Sequence, residues 1–192
     1  MKKSYFAFLL IFICMGAGFF LLSFFNQDPG VAPVYIARLN GHPIPLSHYK
    51  IYLRDEIARF ESHAGPQIWQ TTINGVPAVD VAKNHALETI ISVMLTHSRS
   101  NTTLTQAEEQ AAYQGARALF DTFTPEEQEF HGFYTVLQVV ENNFLQHKIQ
   151  MELTQNYHID ERDRIFNSMY AEWRDAAVVE LNAEVWDEVR IY

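Results

Sequence analysis

An uninterrupted apolar run over residues 5–25 constrains this chain more than any other feature of its sequence. Phe, Leu and Ile dominate these 21 residues, and no charged side chain interrupts them. A helix of that length rises by about 31 Å, which matches the hydrocarbon thickness of a bilayer. We therefore predict that residues 1–25 form a transmembrane signal anchor, which contacts the membrane through residues 5–25.

A cleaved signal peptide is the competing interpretation of the same run. Such a peptide has a shorter apolar region and a cleavage site flanked by small residues. Here the run ends in the segment 22–26, which offers no such site, and bulky Ile13 before Cys14 disfavours lipid attachment there. An uncleaved anchor is therefore the favoured interpretation.

The charges that flank the run predict its orientation. Lys2 and Lys3 precede it and Asp28 follows it, so the N-terminus should lie in the cytoplasm. Residues 26–192 would then lie outside the cytoplasmic membrane, in a periplasm or at a cell wall. They carry 12 basic against 23 acidic residues, a net charge of −11. An acidic domain repels a phosphate backbone, so we expect no nucleic-acid partner.

Turn-forming residues divide the rest of the chain. Pro and Gly within residues 26–33 predict a short linker, and residues 34–192 are long enough for one domain with its own core. A β-rich run over 34–39 ends at Asn40-Gly41, and a second strand candidate covers 177–182. We expect these two strands to pair and to bring the ends of the domain together.

Apolar side chains at three- and four-residue spacing predict five helices in the domain. Thr105 with Glu108 and Thr124 with Glu127 fit capping boxes at the start of two of them, and Asp160 fits an N-cap of the last. The predicted fold class is therefore mainly α: a transmembrane helix followed by a five-helix orthogonal domain, closed by a small two-stranded antiparallel sheet. The first four helices should cover residues 47–64, 78–98, 106–123 and 125–156.

Motifs for catalysis or metal binding are not found in the sequence. The eight histidines form no His-x-x-x-His pair, and we interpret them as solvated surface residues. The single cysteine, Cys14, lies in the predicted anchor and cannot attack a soluble substrate. We therefore predict no cofactor, no metal and no catalytic residue. The histidines are His42, His48, His63, His85, His97, His131, His147 and His158.

Six aromatic residues cluster in sequence around one helix–helix connection. Core packing would explain them, and an exposed apolar patch that contacts unfolded chains or a partner is the alternative. They are the candidate polypeptide-binding residues of this chain. The set is Tyr113, Phe120, Phe123, Phe130, Phe133 and Tyr134.

Several segments resemble one known family. The strand, Asn-Gly turn and Pro43-Ile44 that make up residues 34–44 resemble the start of the SurA/PrsA-type N-terminal chaperone domain. Residues 81–88 and 104–120 look like the second and the next helix of that family, and 170–182 look like its closing helix and return strand. The resemblance covers about residues 33–192.

Members of that family are exported foldases and chaperones, and many carry a parvulin-type prolyl isomerase domain. In this chain the segment 157–160 joins the predicted long helix directly to the closing one, which leaves no room for that domain there. The resemblance therefore implies the chaperone part without the isomerase part.

The expected function is a membrane-anchored holdase that binds unfolded or newly exported polypeptides without catalytic chemistry. Two alternatives remain open. The chain could be an assembly or scaffold protein with one specific partner in a membrane complex, or a prolyl isomerase of a divergent type.

Overall fold

The computed structural model describes residues 34–191, so the predicted anchor over 1–25 and the linker over 26–33 lie outside the described residues. Within residues 34–191 the chain is mainly helical, with two small antiparallel sheets.

None of the helices within residues 34–191 combines the length and the apolar character that a membrane span requires.

Short strands and longer helices alternate along these residues. The strands are β1 (Tyr35–Leu39), β2 (His42–Pro45), β3 (Thr72–Ile73), β4 (Val76–Pro77) and β5 (Val179–Leu181). The α-helices are α1 (Leu46–Ala64), α2 (Ala78–His97), α3 (Gln106–Phe120), α4 (Pro125–His131), α5 (Phe133–Thr154), α6 (Arg162–Asp175) and α7 (Ala183–Glu188). Two 3₁₀-helices cover Pro66–Gln70 and Ile159–Glu161.

The predicted pairing of the two ends of the domain is confirmed, and the predicted two-stranded sheet proves to be three-stranded. Antiparallel β5 pairs with β1, opposing Ala37 to Leu181, while β2 pairs with the other edge of β1. The turn residues Asn40 and Gly41 both have positive φ, 50° and 82°, which a two-residue hairpin turn requires. The prolines of β2 are tolerated because β2 is an edge strand.

A second hairpin, β3–β4, lies between the first 3₁₀-helix and α2. Its turn is Asn74-Gly75, again with positive φ at both residues, 53° and 82°. The 3₁₀-helix before it carries Trp69. This residue anchors the region, because Trp69 stacks on Phe60 with ring centroids 5.7 Å apart and packs against the core.

The core lies between the sheet and the helices α1, α2 and α5. The apolar side chains of β1 point into it, and the helices contribute the residues that recur on their inner faces. The largest fully buried side chains of the described residues include Ile36, Ile44, Tyr49, Ile51, Ile91, Val136 and Ile149.

Helix termini agree with the sequence where a capping box is present. Both predicted boxes are confirmed: Thr105 accepts from the Glu108 amide and Thr124 from the Glu127 amide, and each Glu side chain accepts from its Thr amide. The predicted N-cap at Asp160 is wrong, because the chain first forms the 3₁₀-helix and α6 begins at Arg162 without a side-chain cap.

The helix predicted over 125–156 is interrupted at Gly132. This residue has φ 67° and ψ 148°, a conformation that favours glycine, and it ends α4 and begins α5. Together with α7 in the tail, the break gives seven α-helices within residues 34–191, where five were predicted.

The tail after β5 packs back on the domain. Val189 is buried and Trp186 packs against the core. The buried Lys83 ammonium donates to the Trp186 carbonyl at 2.6 Å and lies 4.6 Å from the centre of its ring. A lysine that is desolvated in this way needs such partners, so the pair fixes α7 to α2.

Two ion pairs join helices that are distant in sequence. Arg174 of α6 binds both carboxylate oxygens of Glu88 on α2, at 2.8 and 2.9 Å, and holds the pKa of Glu88 below its ordinary value. Lys148 of α5 lies 2.7 Å from Glu108 of α3 and, together with the Thr105 amide, lowers the pKa of Glu108 to about 2.

We expect Gly132→Ala to lower the free energy of unfolding by about 1–3 kcal/mol, because the alanine would hold a backbone conformation that L residues rarely adopt. A methyl group at this position would contact nothing within 4 Å, so any loss reports the backbone alone. Urea unfolding followed by circular dichroism measures the change.

Gly115→Ala is the matched control, because Gly115 lies inside α3 and a methyl group there would only touch Val140 at 3.6 Å. Alanine is the better helix former, so this variant should be as stable as the parent or more stable by up to about 1 kcal/mol. Equal losses in the two variants would contradict the special role of the backbone at Gly132.

Candidate functional site

The six candidate aromatic residues divide into buried, half-buried and exposed side chains. Phe123 is buried, and Phe120 and Phe133 are half-buried against the core. Tyr113, Phe130 and Tyr134 have exposed fractions of 43, 47 and 78 %. Three of the six rings are therefore exposed and three are buried or half-buried, and the polypeptide-binding role of the exposed ones stays a prediction.

Phe133 is the centre of a cluster of rings between α3 and α5. The ring of Tyr113 lies 5.3 Å and that of Phe120 5.7 Å from it, both edge to face, an arrangement that aromatic pairs favour. The Arg117 guanidinium covers Phe133 at 4.7 Å. These contacts fix α3 on α5, and they leave one face of Tyr113 in solvent.

A groove of about 380 Å³ lies where α4 and the C-terminal tail meet α1. We call it the α1–α4 groove. Its apolar side chains are Leu53, Ile57, Phe130 and Ile191, and its charged or titratable ones are Lys50, Arg54, Glu126, Glu127, His131 and Arg190. Phe130 is the one candidate aromatic residue that lines it.

Local sequence explains how α4 forms one wall of this groove. The Thr124 capping box with Pro125 begins the helix and Gly132 ends it after seven residues, so α4 is too short to bury a full apolar stripe. Its Phe130 ring turns outward and meets the Lys50 ammonium of α1, 4.6 Å from the ring centre.

Arg54 fixes the segment before α4 to α1. Its guanidinium lies 4.4 Å from the centre of the Phe123 ring and donates to the Thr122 carbonyl at 3.0 Å. It also lies 3.5 Å from Glu127, whose side chain takes part in the capping box. One arginine thus holds a buried ring, a backbone carbonyl and a helix-capping carboxylate together.

A second cleft, of about 360 Å³, lies between α1, α2, α5 and α6, and the residues that line it carry polar groups. Its carboxylates are already paired: Glu88 with Arg174, and Glu56 with Arg59. Ser92 accepts from the Gln146 amide at 3.0 Å. Groups that satisfy one another in this way are typical of a structural network.

The prediction that all eight histidines are solvated is wrong for three of them. His48, His97 and His131 are buried, although they carry polar rings, because they lie on the inner faces of α1, α2 and α4. His131 donates from Nδ1 to the Ser47 carbonyl at 2.9 Å, and His97 donates from Nε2 to the Asn142 carbonyl at 3.1 Å. These bonds replace the water that each ring loses on burial.

Burial keeps these three rings neutral. It lowers the pKa of His48 to about 4, an effect that the Gln138 side chain opposes and that nearby His131 increases. Burial also lowers the pKa of His131 and of His97, and the carbonyl that each ring binds opposes the shift. The three imidazoles are therefore structural groups at neutral pH.

Within residues 34–191, no three His, Asp or Glu side chains are grouped closely enough to bind a metal ion. Among the carboxylates at the start of α4, Glu127 has the capping role that the sequence indicates.

Sequence reasoning missed most of the groove. Lys50 and Arg54 are one helical turn apart on α1, so they share a basic face of this helix. Leu53 and Ile57 are also one turn apart, and they form an apolar face next to it. Arg190 carries no comparable signal, because only the folding back of the tail places it in the same groove as the residues of α1.

Comparisons with protein-family models, with curated proteins and with solved structures found no match to this chain.

We expect the domain to lose stability as the pH falls from about 6.5 to about 4, in part through His48. Its pKa is about 4 when folded and near 6.5 when unfolded, so the unfolded state binds more protons between these values. His48 should account for about 2 kcal/mol of the loss between pH 7 and pH 4.5. Urea unfolding at the two pH values measures it.

His48→Gln should reduce this pH-dependent loss, whatever its effect on stability at pH 7. His42→Gln is the control, because His42 is exposed at the end of the first hairpin turn. An unchanged difference between pH 7 and pH 4.5 in His48→Gln would contradict the assignment.

Proposed function

We propose that this chain is a membrane-anchored, extracytoplasmic chaperone, which holds unfolded or newly exported polypeptides without changing them covalently. The exposure of Tyr113, Phe130 and Tyr134 carries the proposal. Covering a large exposed ring with an apolar segment removes apolar surface from water, which favours binding. Exposed apolar surface also marks sites of interaction with other chains.

The α1–α4 groove adds a concave surface to these rings. Its volume of about 380 Å³ can accept one or two large side chains of a client, and Phe130 forms part of its wall. Pockets of this size with apolar walls and a few polar groups are typical of binding sites. Because each contact would be small, binding would be weak and reversible, as release of a client requires.

A holdase requires no set of catalytic residues. This agrees with the second cleft, where the polar side chains bind one another. We also propose that residues 34–192 form an orthogonal helical domain of the SurA/PrsA N-terminal type, which the sequence resembles. The proposal also includes the signal anchor over 1–25, which would keep the domain where exported chains emerge.

The full chain in nanodiscs should suppress the aggregation of a chemically unfolded client at near-stoichiometric amounts. Phe130→Ser combined with Tyr134→Ser should weaken this suppression severalfold, because it removes exposed apolar surface without emptying the core. Light scattering of the diluted client measures the effect.

Ile159→Ser combined with Val178→Ser is the matched control, since both side chains are exposed and neither lines the α1–α4 groove. Equal losses in the two double variants would contradict the assignment of the surface. A folded protein that suppresses no aggregation would overturn the chaperone proposal, and crosslinking in cells to one partner would favour a scaffold.

A further inference from the structure

We propose that the α1–α4 groove selects polypeptide segments in which a large apolar side chain lies next to carboxylates. This inference rests on the proposed chaperone function and names the class of segment that the domain holds. The juxtaposition that carries it is an apolar lining, Leu53, Ile57 and Ile191, in the same groove as two cations without an ion-pair partner among residues 34–191, Lys50 and Arg190. We call this apolar lining the floor.

The floor of the groove would accept the apolar side chain. Leu53 is buried and Ile57 and Ile191 are half-buried, while the Phe130 ring stands at the side with about half of its surface in water. An apolar side chain that enters would cover this ring and exclude water from the floor.

The charges around the floor would select the neighbours of that side chain. Lys50, Arg54 and Arg190 supply three cations, and Arg54 is paired with Glu127. No carboxylate of residues 34–191 lies at ion-pair distance from Lys50 or Arg190. These two cations are therefore available to the carboxylates of a client, and they outnumber Glu126, the one lining carboxylate that is not paired with Arg54.

The rest of the domain makes this local charge distinctive. Residues 26–192 carry a net charge of −11, so an acidic segment is repelled by the protein as a whole. Binding at the groove would then depend on short-range contact with Lys50 and Arg190, and it would be directed to this one place. A polyanion without apolar side chains would meet the same charges, Glu126 and Glu127 included, and would gain no contact with the floor to offset their repulsion.

The test uses the full chain in nanodiscs of zwitterionic lipid and four peptides of equal length, measured by calorimetry. Three share the same Leu and Phe residues and carry Asp/Glu, Lys/Arg or Ser/Asn between them. The fourth keeps Asp/Glu and replaces Leu and Phe by Ser. We expect the acidic-apolar peptide to bind most tightly and to weaken when salt is raised from about 50 to about 300 mM.

Lys50→Glu combined with Arg190→Glu should weaken binding of the acidic-apolar peptide by about tenfold and should improve binding of the basic one. Lys50→Gln combined with Arg190→Gln should produce a smaller loss, and it keeps the test valid if the charge reversals disturb the fold. Arg164→Glu is the control for a charge reversal outside the groove, because Arg164 is exposed on α6 and does not line the groove. It changes the net charge by two units, where the double reversal changes it by four.

Equal affinity for the acidic-apolar and basic-apolar peptides would overturn the inference, as would an equal effect of Arg164→Glu. Tight binding of the acidic peptide without Leu and Phe would overturn the role of the floor and would indicate an anion site. If the protein suppresses aggregation but shows no preference among the peptides, the inference fails and the chaperone proposal stands. If it does neither, both fail.

Discussion

The pairing of β1 with β5 is the interaction on which the rest of this domain depends. It joins residues 35–39 to residues 179–181 across almost the whole chain, and side chains strengthen it at both ends. The Asn40 side chain accepts from the Val178 amide at 2.8 Å, and the Asn182 amide group donates to the Tyr35 carbonyl at 3.0 Å. Because β5 is held in this position, α7 reaches α2 and the tail reaches α1. Arg190 and Ile191 line the α1–α4 groove because the chain folds back after β5.

Buried polar groups then fix the helices in one arrangement. Lys83 joins α2 to the carbonyl of Trp186, His131 joins α4 to the start of α1, and His97 joins α2 to α5. Each of these groups loses water on folding and recovers a single strong partner, so a shifted packing would leave it unpaired at a cost of about 1–3 kcal/mol. Apolar contacts alone would tolerate such shifts more readily. The fixed helices therefore hold the exposed aromatic side chains in defined positions, even though these side chains are in contact with water.

Local signals predicted much of the fold, and tertiary contacts decided the rest. The two capping boxes, the Asn40-Gly41 turn and the pairing of the first and last strands follow from short patterns with a direct physical meaning. The break at Gly132 does not, because a single glycine inside an apolar periodicity can also lie in a continuous helix. The buried histidines were missed because their burial depends on which faces of α1, α2 and α4 meet. For the site, sequence identified Phe130 but could not place Arg190 beside Lys50.

The distance along the chain between β1 and β5 has a consequence for biosynthesis. A ribosome makes β1 and β2 early, and more than a hundred further residues must emerge before β5 can occupy the second edge of β1. During that interval the nascent chain carries an open strand edge, which can template pairing with another polypeptide. Loop closure over so many residues is also slow compared with formation of the local helices. The last step of maturation is thus the arrival of the C-terminal strand, and a chain truncated before it would keep an unpaired edge throughout its life.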